Sequence, residues 1–207
     1  MQISSVNFVL GATSIKQVPK DGIPHLAFLG RSNAGKSSLM NALLGKQVVK
    51  TSGTPGKTRE INFFLVANSF GDSFYFVDLP GVGYAKVSIT MRNDMANRIK
   101  NYVEKAQDLK GIIYLVDIRH GGHKIDFETI NGIKNARIPI LLIASKADKL
   151  NQGEFIAAKK NLKENFGLPE LPLATSAKTK KGIPELWEEI NSMLCLKSNM
   201  ATGGNNA

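Results

Sequence analysis

"GRSNAGKS", residues 30–37, follows the apolar run "HLAFLG" (25–30) and opens onto "KSSLMNALLG" (36–45), a helical stretch closed by Gly45. These eight residues match G-x-x-x-x-G-K-[ST] in the setting that gives the pattern its meaning, a strand before it and a helix after. Gly30 and Gly35 let the backbone wrap an anion with its N–H groups, and the helix N-terminus adds a favourable dipole. Lys36 is placed to pair with the β- and γ-phosphates of a nucleotide, and the Ser37 hydroxyl to bind Mg²⁺.

Outward from this stretch, apolar runs alternate with helical ones. "INFFLVA" (61–67) and "SFYFVDL" (73–79) flank the hairpin signal "NSFGD". "GIIYLVDI" (111–118), "IPILLIAS" (138–145) and the short "LPLATS" (171–176) are further strands, separated by helical periods at 91–107, 126–136 and 153–166 and followed by a last helix at 184–196. Continuous apolar strands alternating with helices predict an α/β fold, a mostly parallel sheet of six strands with one antiparallel strand and helices on both faces. Ligands bind such sheets beyond the carboxyl ends of the strands. One domain is expected over 1–197. The small polar residues "SNMATGGNNA" (198–207) read as a disordered tail.

The chain has 207 residues, 43% of them hydrophobic and 21% charged, enough for a sizeable core. No apolar run is long enough to span a membrane, and the start "MQISSVNFVLG" lacks the features of a secretion signal. A single cysteine, Cys195, forms no internal disulfide, so a reducing cytoplasm is expected, with Cys195 a small apolar residue of the last helix. The formal net charge of +10 favours polyanionic partners.

Three further motifs stand at strand ends. In "DLPGVGYAK" (78–86), Asp78 and Gly81 have D-x-x-G spacing, which suits an acid that holds magnesium through water and an N–H that reaches the γ-phosphate. In "SKAD" (145–148), an aspartate can accept both N1–H and N2–H₂ of guanine, which adenine does not offer, while the Lys146 stem lies along the base. "TSAK" (175–178) supplies backbone N–H groups to guanine O6. The polar loop "TSGTPGKTRE" (51–60) holds Thr51, Thr54 and Thr58, each able to supply a second protein ligand to Mg²⁺.

Together these stretches identify a resemblance. "FLGRSNAGKSSLMNAL", "TSGTPGKTREINFF", "FVDLPGVGYAK", "DIRHG" and "SKADKL" make the chain similar, from about residue 6 to 196, to the Era-like GTPases and within them to the EngB/YsxC (YihA) ribosome-biogenesis GTP-binding proteins. The resemblance implies a P-loop GTPase G domain with slow intrinsic GTP hydrolysis. It implies a switch in assembly of the large ribosomal subunit, with rRNA or a ribosomal protein as partner, and a link to cell division and septation. A monomer is expected, and no DNA partner.

By resemblance, the phosphates contact Gly30, Arg31, Ser32, Asn33, Ala34, Gly35, Lys36, Ser37 and Ser38, with Lys57, Thr58, Asp78, Leu79, Pro80 and Gly81 closing over them. The base falls to Ser145, Lys146, Ala147 and Asp148 and to Thr175, Ser176, Ala177 and Lys178. Magnesium falls to Ser37, Thr58 and, through water, Asp78. Lys36, Thr58, Gly81 and Asn33 are the implied catalytic set.

Two positions depart from the group. Ser145 stands where asparagine or threonine is usual, and keeps a hydroxyl to tether the phosphate loop. Val82 stands where tyrosine is frequent, and many nucleotide hydrolases have a water-orienting glutamine at this place. Val82 orients nothing, so the missing positive charge comes from a partner or from a potassium ion held by Asn33. The alternative role for Asn33 is to shape the loop by hydrogen bonding to backbone.

Two rival functions remain. A P-loop phosphotransferase leaves "SKAD" and "TSAK" without a purpose; a GTP-gated binding module differs by showing no turnover. His120 and His123 form a poor metal pair without further ligands. Trp187 reads as core, and the lysines of "KTKKG" (178–182) as a solvated loop. Lys50, Lys57 and Lys86 are the candidates for contact with ribosomal RNA.

Overall fold

The computed structural model describes residues 2–49, 60–83 and 88–196. Seven strands form one sheet: β1 (Ile3–Ala12), β2 (His25–Gly30), β3 (Ile61–Asn68), β4 (Ser73–Asp78), β5 (Leu109–Asp117), β6 (Ile140–Ser145) and β7 (Leu173–Ala174). Their order is β1-β3-β4-β2-β5-β6-β7. The helices are α1 (Lys36–Leu44), α2 (Ile89–Lys105), α3 (Lys124–Lys134), α4 (Gln152–Phe166) and α5 (Ile183–Leu194).

The expected count of six strands is corrected to seven. β1 pairs along its length with β3, from Ile3 opposite Asn68 to Ala12 opposite Ile61. It is an edge strand, and its mostly exposed residues, Phe8 and Val9 among them, give neither a clean alternation nor a buried run. Only β3 runs against the others, since it is antiparallel to both β1 and β4 and the remaining pairings are parallel.

β2 lies at the centre and is buried on both faces. Its Leu26 and Phe28 face α1 and α5 through Leu39, Leu43, Leu186 and Ile190, while Ala27 and Leu29 join the opposite layer with Ile99, Tyr102, Ile130 and Leu162. Strand residues alternate between faces, so this one segment anchors both layers. Trp187 is core as expected, stacked on Phe76 with ring centroids 5.8 Å apart. Cys195 differs from expectation. It is exposed, just past the end of α5, in a left-handed conformation with φ of 53°.

Local chemistry sets the ends of several elements. Asn68 accepts from the N–H groups of Phe70 and Asp72, both at 2.9 Å, which closes the β3–β4 hairpin. Asn151 and Glu154 cap α4 reciprocally at 3.0 Å, and Gly167 ends it with φ of 60°.

Candidate functional site

The phosphate loop leaves β2 at Gly30, whose φ is 154°; a Cβ there would lie 2.5 Å from the Leu115 carbonyl oxygen. A side chain would therefore push the loop off β5. Asn33 and Gly35 follow with φ of 64° and 96°. Such turns aim successive N–H groups into one concavity. The first turn of α1 then carries buried Lys36 and half-buried Ser37.

Asp78 ends β4 beside this loop, only 1% exposed, and its carboxylate is ion-paired with the Lys36 ammonium. Beyond it the chain stays on the loop through backbone. Leu79 N–H donates to Phe28 O at 3.1 Å, Val82 N–H to Gly30 O at 3.0 Å, and Ser32 N–H to Val82 O at 3.2 Å. Val82 thus joins the two motifs with its main chain and brings no polar side chain. Thr58 and Lys57, like Thr51, Thr54, Lys50, Lys86 and the 198–207 tail, lie outside the described residues.

On the other flank, the Ser145 hydroxyl donates to Ala34 O at 2.6 Å and lies 3.1 Å from Val116 O, so the expected tether to the phosphate loop is present. The Lys146 ammonium reaches Asn33 O at 2.5 Å and the Asp117 carboxylate at 2.9 Å. Arg119 grips the same carboxylate at 2.7 and 2.9 Å. Burial raises the Asp117 carboxyl, yet the hydrogen bonds from Arg119 and Lys146 outweigh it and hold the group well below the usual range.

Asp148 is fixed by a short relay. Thr179 N–H donates to the Ser176 hydroxyl at 3.1 Å, which donates to Asp148 Oδ1 at 2.7 Å. That hydrogen bond leads the causes that lower the Asp148 carboxyl, and Lys149 and Lys178 add to it. Thr175 binds the two base-side loops together: its N–H donates to Ala144 O at 2.8 Å and its carbonyl accepts from Ala147 N–H at 3.0 Å. Gly35, Ser38, Lys146, Asp148, Thr175 and Ala177 line a cavity of about 380 Å³ between these loops and α1, within the range of small-molecule sites.

Two contributors were not singled out as site residues in the sequence. Asp117 anchors Lys146, and its signal was an acid at the end of an apolar strand. Asn41, buried in α1, accepts from the N–H groups of Val48 and Val49 at 2.9 and 2.8 Å and so fixes the chain that follows α1.

A phosphate loop at the carboxyl ends of a mostly parallel sheet, flanked by a strand-end acid and a base-side carboxylate, defines a P-loop nucleotide-binding fold of the G-domain class. Residues 25–146 match the 50S ribosome-binding GTPase family. A probable GTP-binding protein EngB of Leuconostoc citreum is 40% identical over 93% of this chain and 99% of its own. That of Bacillus subtilis is 36% identical over 94% and 99%. A crystal structure of a probable GTP-binding protein EngB superposes with a TM-score of 0.64, at 23% identity over 83% of this chain and 98% of that one. Era, in complex with MgGDPNP and 16S ribosomal RNA nucleotides, gives 0.70 at 23% identity over 88% of this chain and 59% of that one. The chain belongs to the 50S ribosome-binding GTPase family and, within it, to the EngB GTP-binding proteins.

Proposed function

We propose that the protein is a guanine-nucleotide switch with slow intrinsic GTP hydrolysis that acts in assembly of the large ribosomal subunit. The observation that carries the base assignment is Asp148, a carboxylate kept ionised and aimed by Ser176 at the rim of the cavity. It accepts from guanine N1–H and N2–H₂. The Ser176 N–H is already bonded to Lys181 O at 2.9 Å, so the O6 contact falls to Ala177. Through assembly, loss of the protein would reach cell division and septation.

Ser37 follows Lys36, the ion-pair partner of Asp78, and the hard oxygen donors of Ser37 and Asp78 suit Mg²⁺. Ser37 would hold the ion directly, Asp78 through water, and Thr58 would complete the set. The ion neutralises charge on the phosphates. Lys36 binds and orients the β- and γ-phosphates, Gly81 N–H meets the γ-phosphate, and the loop amides exclude bulk water from the bound oxygens.

For the missing catalytic charge we favour potassium at Asn33. Its φ is one that asparagine tolerates, so its backbone shapes the loop, while its carboxamide has no hydrogen bond among the described residues and is exposed. GTP turnover should be faster in potassium than in sodium at equal ionic strength, and Asn33→Ala should abolish the difference. Equal rates in wild type would pass the role to an arginine or other group from the partner.

Basic surplus and family membership support the ribosomal role. Sedimentation with purified subunits in GDP, GTP-analogue and nucleotide-free states tests it. Cosedimentation with the large subunit in one nucleotide state, weakening steeply with salt, is expected; none in any state would exclude the role.

A further inference from the structure

The end of the sheet opposite the phosphate loop carries a polar cluster that nucleotide binding does not use. His25 opens β2, Asp21 lies four residues before it, and Asp108 directly precedes β5. One ring nitrogen of His25 and one carboxylate oxygen from each aspartate lie within 4.8 Å of one another. The backbone holds the group in place, since His25 N–H donates to Asp108 O at 2.7 Å. Asp21 is oriented by Tyr75, whose hydroxyl donates to Oδ2 at 2.9 Å, and by Ile23 N–H at 3.2 Å to Oδ1.

His25 is fully buried, ringed by Phe63, Tyr75 and Tyr102. Its Nδ1 meets the Tyr102 hydroxyl at 3.2 Å. Its Nε2 is buried as well and has no hydrogen-bond partner. Buried polar atoms are nearly always satisfied, and an exception calls for a reason such as an ion. Neither of the two nearby carboxylates hydrogen-bonds this nitrogen.

We propose that Asp21, His25 and Asp108 form a binding site for a divalent transition-metal ion of the zinc class. One imidazole nitrogen with two carboxylate oxygens is a borderline donor set, softer than the all-oxygen sites of magnesium and calcium. Three protein ligands leave room for water, and the exposed side of Asp21 gives the ion a way in. The ion would join the start of β2 to the turn after α2, at the opposite end of the sheet from the phosphate loop.

The test uses the full chain loaded with GDP and excess Mg²⁺, stripped of other metals, and titrated with Co²⁺ while its ligand-field absorption is read. One equivalent that Zn²⁺ displaces is expected. Outer-shell substitutions at metal sites cost about 10–100-fold in affinity, so loss of a ligand in Asp21→Asn or Asp108→Asn should cost at least as much. Both variants keep His25 in the core, and GDP affinity should not change. The variant His120→Ala with His123→Ala should bind Co²⁺ as wild type does. No Co²⁺ binding by the wild type, unchanged affinity in both aspartate variants, or loss in the His120/His123 variant would each overturn the site.

Discussion

The base side and the phosphate side of the nucleotide site stand in different states of readiness. On the base side, Ser145 is bonded to the phosphate loop, Lys146 spans Asn33 and Asp117, and Ser176 aims Asp148. On the phosphate side, Lys36 and Asp78, expected to face phosphate and magnesium, face each other instead. On the proposed assignment, base recognition is built in advance, which lowers the ordering cost of binding. Phosphate binding would then be an exchange, in which the incoming anion replaces a buried carboxylate as the partner of the lysine.

The largest effect is expected where that exchange is broken. Lys36→Ala should cost about a hundredfold or more in triphosphate affinity, since charge-assisted hydrogen bonds worth roughly 1.5–3 kcal/mol each are lost at two phosphates. It should also cost the nucleotide-free protein about 3–5 kcal/mol, because Asp78 is left buried without its counter-charge. Adding Asp78→Asn should restore much of the stability and none of the affinity. Urea melts and nucleotide titrations of the three proteins separate the effects, and an unchanged melt for Lys36→Ala would mean that the ion pair contributes nothing.

On the base side, Asp148→Asn should weaken GTP binding about ten- to a hundredfold and improve binding of xanthosine triphosphate, with little change in the melt. Unaltered GTP affinity would place base recognition elsewhere. Ser145→Ala should cost about 1 kcal/mol of stability by removing the tether, and a few-fold in GDP affinity. If GDP affinity fell as far as in Asp148→Asn, the loop would depend on the tether far more than its single bond suggests.

The smallest effect is in acid. Asp117 is held below its ordinary value of 3.8, so ionised Asp117 favours the fold. A depressed carboxylate gives its full stabilisation above the unfolded pKa and loses it as pH falls toward the folded one. Wild-type stability should therefore drop more steeply below about pH 4 than that of Asp117→Asn. Parallel curves would show that Arg119 and Lys146 leave that carboxylate energetically idle.

Sequence alone marked β2 from His25 to Gly30 and α1 from Lys36, because a fully apolar run and a glycine-bounded helix leave few alternatives. It missed β1, whose single pairing partner lies far along the chain and whose exposed apolar residues mimic no buried pattern. It placed Cys195 inside the last helix, although the helix ends at Leu194 and Cys195, itself left-handed, caps it. The site motifs were legible because each is contiguous. Asp117 was overlooked, since its value depends on Arg119 two residues on and on Lys146 from a distant segment, and the Asp21–His25–Asp108 cluster is scattered over chain that carries no motif at all.

The edge position of β1 also bears on how the chain is made. Ala12 meets Ile61, so β1, once synthesised, finds its partner only after roughly fifty more residues have been added. At about 5–20 residues per second, that interval is on the order of 3–10 seconds. During it the backbone of β1 has no sheet to join, and Phe8 lacks the Phe64 ring it later meets 5.5 Å away. The nascent chain thus carries for a time an unpaired strand that a chaperone or another nascent chain can reach, and arrival of the β3–β4 hairpin ends that exposure.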